Sequence, residues 1–202
     1  MLIWRLFFTN ATPSEKWREK AKETNTVILF GFGYDTCKCG LMRPGNANEA
    51  LYKMAINNAG KDIGTLHLIM QEGVRVAAIY DINPHEFIRD FIPMHPHDST
   101  YITTLIAAKY AILKMDSLGV KKAVVYAHSM QLKRAVYDLR RIADSEPRWK
   151  DMEFITPEIR STPFPCCSVH KHTRSVFLFY PREIFASRPV ESVACLSKIH
   201  VE

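Results

Sequence analysis

Short apolar runs alternate with longer amphipathic stretches along this chain. Thr26 to Phe30 (TVILF), Val74 to Tyr80 (VRVAAIY) and Ala123 to Tyr126 (AVVY) read as buried strands, because they are brief and rich in β-branched residues. Met152 to Thr156 (MEFIT) reads as another. Between them lie helices. Thr12-Pro13-Ser14-Glu15 carries a Thr cap, a Pro at the first helical position and a Glu three residues on, so a helix is predicted to about Glu23. Ala47 to Ala59 places Ala50, Leu51, Met54 and Ala55 on one face, and a short helix from Thr65 to Glu72 is predicted to end at Gly73. Asp98 or Ser99 is expected to cap a helix reaching about Ser117, with Ile102, Leu105, Ile106, Ile112 and Leu113 inward. From Ser129 to about Asp144, Leu132, Ala135, Val136, Leu139, Ile142 and Ala143 recur at helical spacing, opposite Lys133, Tyr137, Arg140 and Arg141. Ser175 to Tyr180 is open between a strand and a buried helix, and Ile184 to Val201 has no single period.

Strand and helix in alternation predict an α/β domain: a three-layer, Rossmann-like sandwich around a mostly parallel sheet of about five strands. The 202 residues suit one such domain, with 1–25 as an N-terminal flap and helix, 26–156 as the core and 157–202 as an extension completing it. The opening MLIWRLFFTN is too short for a membrane span or a secretory segment. Five cysteines, an odd number in a chain that needs no staples, point to reduced thiols and a cytoplasmic setting. The formal charge of +6 favours anionic ligands. No long Lys/Arg block and no nucleic-acid-binding motif accompanies it, which disfavours nucleic acid as the partner and leaves a small molecule; the oligomeric state is open.

In a doubly wound sheet with the first strand at its centre, the strands ending at Phe30 and Tyr126 are neighbours whose helices leave to opposite faces. Ligands bind in the crevice this opens at the strands' carboxyl ends. The loops meeting there are Gly31-Phe32-Gly33, His95 to Thr100 and Ala127 to Gln131. Gly31 and Gly33 allow close backbone approach, and helix N-termini favour an anion, with Arg43 and Arg134 as complementary charges. Thr36 stands where a third glycine would complete G-x-G-x-x-G, which argues against an ordinary NAD site. Ser99, Thr100 and Ser129 are candidate hydrogen-bonding groups. His128 is either a proton-transfer group or an ordinary polar residue at a strand end.

Between Thr26 and Asp144 the chain resembles the SanA/YdcF-like family of Rossmann-like domains. Arg43 and the helix holding Ala50-Leu51 match that family's Arg-then-helix after the first strand. His97-Asp98-Ser99-Thr100-Tyr101-Ile102-Thr103 lies where the family has an S-x-N-T-x-E-N segment, and Ala127 to Ala135 where it has T-S-x-Y-H-x-x-R-A. Thr100, Arg134 and Ala135 are retained. The family's Asn, Glu, second Asn and His become Ser99, Ile102, Thr103 and Gln131, so a ligand bound without turnover is one implication. The resemblance implies a small-molecule site in the crevice. With the sheet-edge argument, the candidate ligand-binding residues are Gly31, Phe32, Gly33, Arg43, His97, Ser99, Thr100, Thr103, Gln131 and Arg134, and His128 and Ser129 are the catalytic candidates. One family member is associated with S-adenosylmethionine and others with envelope-related phenotypes; nucleotides and phosphoesters are the other ligand classes considered, and the reaction, whether transferase or hydrolase, is left open.

Three rival readings compete. Ser129 on a strand-to-helix turn is similar to the nucleophile elbow of α/β-hydrolases, with Asp151, Glu153, His170 and His172 downstream, but Ala127 and Gln131 stand where that elbow has glycine. His95-Pro-His97-Asp98, with His85, His170 and His172, invites a metal. Ser99 and Thr100 occupy positions where a metallohydrolase signature would have Asp and His, and the cysteines form no C-x₂-C pair, so no metal is expected. A non-catalytic binding or sensing domain is the third.

Overall fold

The computed structural model describes residues 19, 21–36, 42–59, 65–81 and 103–157. Strands β1 (Thr26–Leu29), β4 (His67–Met70), β5 (Lys122–Tyr126) and β6 (Glu153–Ile155) form one sheet in the order β4-β1-β5-β6, and every pairing in it is parallel. A two-residue hairpin, β2 (Asp35–Thr36) with β3 (Met42–Arg43), follows β1. Helices α1 (Gly45–Ala59), α2 (Glu72–Asp81), α3 (Thr104–Ser117) and α4 (Leu132–Ser145) accompany the strands, and a 3₁₀ turn at Pro147–Trp149 leads into β6.

The period of two along each strand divides the core into the two layers that cover the sheet. Ile28, Phe30, Ile69, Ala123, Val125 and Phe154 meet Leu105, Ala108 and Ile112 of α3 and Ala135, Leu139 and Ile142 of α4. Val27, Leu29, Leu68, Met70, Val124, Tyr126 and Ile155 meet Leu51, Tyr52 and Ala55 of α1 and Val74, Ala77 and Ala78 of α2. Both faces are therefore dry, as an all-parallel sheet requires. The helix after β1 and the helix after β5 pack on opposite faces, so strand order reverses between β1 and β5. The three-layer, Rossmann-like α/β architecture is the one expected, with four strands in the described sheet where about five were predicted.

Two assignments change places. Residues 67–70 form a strand and Glu72–Asp81 a helix, the reverse of the sequence expectation. Leu68 and Met70 enter one core layer and Ile69 the other, as a central strand demands. In VRVAAIY, by contrast, Val74, Ala77 and Ala78 are buried at positions i, i+3 and i+4, while Ile79 stays 46% exposed. A central strand would also have buried Arg75, which instead pairs with Glu72 one helical turn back, at 2.7 Å from Nε to Oε2. Helix α3 starts at Thr104 with Thr103 as its cap, whose hydroxyl accepts from the Ile106 N–H at 3.2 Å, in place of a cap at Asp98 or Ser99. Helix α4 starts at Leu132 where Ser129 was expected, because residues 129–131 are a turn. The flap at 1–10, the segment 175–180 and all five cysteines lie outside the described residues.

Candidate functional site

The carboxyl end of β1 is tied at each step. The Phe30 N–H donates to the Tyr126 carbonyl at 2.9 Å, the last bond of the ladder to β5. The Gly31 N–H donates to Gln71 Oε1 at 2.5 Å and the Phe32 N–H to Asn48 Oδ1 at 2.8 Å. Asn48 Nδ2 then donates to the carbonyls of Gly33 and Pro44, each at 2.6 Å. One buried side-chain amide thus holds the β1 turn against the first turn of α1. Gly33 has φ +66° and Gly45 φ +70°, conformations that favour glycine at both corners of this connection. The N–H groups of Gly31 and Phe32 are already answered by the protein, so close backbone approach at this turn falls to Gly33 and the residues after it.

At the end of β5, His128 is fully buried. Its ring stacks on Phe32, centroids 3.8 Å apart and planes 9° from parallel, so the two sequence-distant turns are in direct contact. Nδ1 accepts from the Met130 N–H at 3.3 Å, and the His128 carbonyl accepts from the N–H groups of Gln131 at 2.7 Å and Leu132 at 2.9 Å. Met130 packs in turn against Phe32 and Ala47. His128 therefore organises the turn with both its ring and its backbone. Its burial fits the strand-end alternative better than direct proton transfer with a solvent-borne ligand.

Gln131 joins the starts of two helices. It is the residue before α4, and its Nε2 donates to Oγ1 of Thr104, the first residue of α3, at 3.3 Å. Gln131 Oε1 is buried and has no hydrogen-bond partner among the described residues. Arg134 lies one turn below, its Nε 3.6 Å from Oδ2 of the buried Asp138, so its charge is largely answered within α4. Ser129 is half-buried in the turn, and among the described residues no non-glycine residue has a positive φ. The strained backbone of a nucleophile elbow is thus absent at Ser129. Thr103 spends its hydroxyl on the α3 cap. Arg43 stands exposed on β3, whose hairpin packs beside α2. His97, Ser99 and Thr100 lie outside the described residues.

The structure brings Phe32, Gly33, His128, Gln131 and Thr103 to one edge of the sheet. It adds three residues that sequence reasoning passed over: Asn48, Gln71 and Thr104. Asn48 carried a readable signal, since it shares the i, i+3, i+4, i+7 stripe with Leu51, Tyr52 and Ala55, and a polar residue on an apolar stripe needs buried partners. Gln71 and Thr104 carried none, because their partners are remote in the chain. Among the described residues no three His, Cys, Asp or Glu side chains converge, and no helix is long and apolar enough to cross a membrane. No family model, curated protein or solved structure matches the chain.

Proposed function

We propose that the crevice between β1 and β5 binds a small, at least partly anionic ligand, of the nucleotide, phosphoester or S-adenosylmethionine class, as the resemblance to SanA/YdcF-like domains implies. The stack of Phe32 on His128 carries the reading, because it joins the glycine-bearing turn and the imidazole-bearing turn where strand order reverses. The start of α1 adjoins this contact through Ala47, and the starts of α3 and α4 adjoin each other through Thr104 and Gln131. An anion there would meet helix N-termini, and the chain's formal charge of +6 favours its approach.

Binding without turnover is the form of this reading that the site favours. The His128 ring is buried and Arg134 is paired with Asp138, so the two groups best suited to proton transfer and charge stabilisation are both engaged internally. A thermal-shift screen of adenosine monophosphate, adenosine triphosphate, inorganic phosphate and S-adenosylmethionine tests the proposal. A ligand present at a hundred times its Kd adds about 2.7 kcal/mol to stability, a readily measured rise in Tm. Absence of any shift or calorimetric heat with all four probes would remove the reading, and product release from a phosphoester would replace the binding form with an enzymatic one.

A further inference from the structure

We infer that Gln131 reads the ligand: its Oε1 is an acceptor for an N–H or O–H donor that the ligand carries close to its anionic group. The inference rests on the crevice being a ligand site and names a feature of the ligand that the site requires. Gln131 is 9% exposed, and its buried Oε1 has no hydrogen-bond partner among the described residues. A buried acceptor left unpaired is costly, and native structures retain few of them. The amide's other end is committed, since Nε2 donates to Thr104 Oγ1 at 3.3 Å. Gln131 is also the N-terminal cap residue of α4, the fourteen-residue helix that starts at Leu132, and its side chain makes no capping hydrogen bond there. The same residue therefore presents a lone acceptor beside a helix start that favours negative charge. A ligand satisfying both has a donor and an anionic group near each other. Inorganic phosphate alone answers only the helix. A nucleotide offers sugar hydroxyls near a phosphate, and S-adenosylmethionine offers an ammonium beside a carboxylate.

Isothermal titration of the full chain with matched pairs tests this: adenosine monophosphate against its 2′,3′-dideoxy form, and S-adenosylmethionine against its desamino analogue. Loss of the donor is expected to weaken binding about tenfold or more in the pair that uses Gln131. Gln131→Met, which keeps the length and removes the amide, is expected to bind both members of that pair alike. Should Gln131→Met fail to fold, the Gln131 side-chain amide signals of the unaltered protein serve instead, shifting with the donor-bearing member and not with its analogue. The pair that discriminates identifies the donor as hydroxyl or ammonium. Equal binding of both members in both pairs overturns the role of Gln131 and leaves the ligand site standing. Failure of every probe to bind, inorganic phosphate included, overturns both.

Discussion

Asn48 and Gly73 are fitted to one another across the α1–α2 contact: a Cβ built on Gly73 would lie 2.8 Å from Asn48 Nδ2. That nitrogen cannot easily give way, because it donates to the carbonyls of Gly33 and Pro44 while the same amide's oxygen receives the Phe32 N–H. The glycine that reads as a helix stop is instead the second residue of α2, small because the amide that shapes the β1 turn occupies the space beside it.

Gly73→Ala should therefore destabilise the protein, against the usual gain of about 1 kcal/mol for that change in a helix. Overpacking of this kind costs about 1–3 kcal/mol. In an Asn48→Ala background the same substitution should cost much less, since the obstructing atom is gone. Denaturant midpoints for the four members of the cycle decide the matter, and independent, additive effects would show that the two residues do not interact.

Asn48→Ala itself should cost about 2–4 kcal/mol, because it strands the Phe32 N–H and two carbonyls around a buried position. It should also loosen the β1 turn, seen as faster hydrogen exchange at the Phe32 amide. A stable variant with unchanged exchange there would mean that water or another group replaces the amide.

Tyr126 provides a prediction about pH. Burial pushes its phenol above the usual tyrosine value, with a smaller opposing effect from a hydrogen bond with Asn58. A raised acid binds its proton more tightly in the folded state, so the folded chain holds more protons than the unfolded chain once pH passes the unfolded tyrosine value of about 10. Stability should be intact below that pH and fall as pH rises beyond it. Tyr126→Phe removes the ionisable group and should flatten this alkaline decline; an identical decline in the variant would assign it to other residues.

The two layers and the switch between β1 and β5 were legible because they depend on local period. TVILF and AVVY are continuous apolar runs, and the stripe from Leu132 to Ala143 is unbroken. The exchange of strand and helix across Gly73 was not legible. VRVAAIY alternates as well as it repeats by helical turn, and only its packing on α1 decides between them, with Val74, Ala77 and Ala78 buried and Ile79 left out. The placement of His128 beside Phe32 followed from topology alone. The partners of Gln71 and Gln131 did not, since each bond spans a distance in sequence that no pattern encodes.

Ser129 should not react with a fluorophosphonate probe. A serine nucleophile of the elbow type sits on a strained turn that lifts its hydroxyl toward the substrate, whereas Ser129 has no positive φ and lies within a turn closed by the His128 carbonyl. Mass spectrometry after labelling checks this directly. A stoichiometric adduct on Ser129 would restore the hydrolase reading.

His128 can be separated into its ring's shape and its ring's nitrogen. His128→Phe keeps a flat ring against Phe32 but removes the acceptor that receives the Met130 N–H. If the nitrogen fixes the turn, the variant should lose about 1–3 kcal/mol and the Met130 amide should exchange with solvent faster. Phe32→Leu makes the opposite cut, leaving the Met130 bond in place while abolishing the stack, and should lower stability with Met130 exchange little altered. The two substitutions together then distinguish a turn held by hydrogen bonding from one held by ring contact. Equal protection of Met130 in the parent and in His128→Phe would show that Nδ1 contributes nothing to the turn, and would return His128 to consideration as a group kept for chemistry.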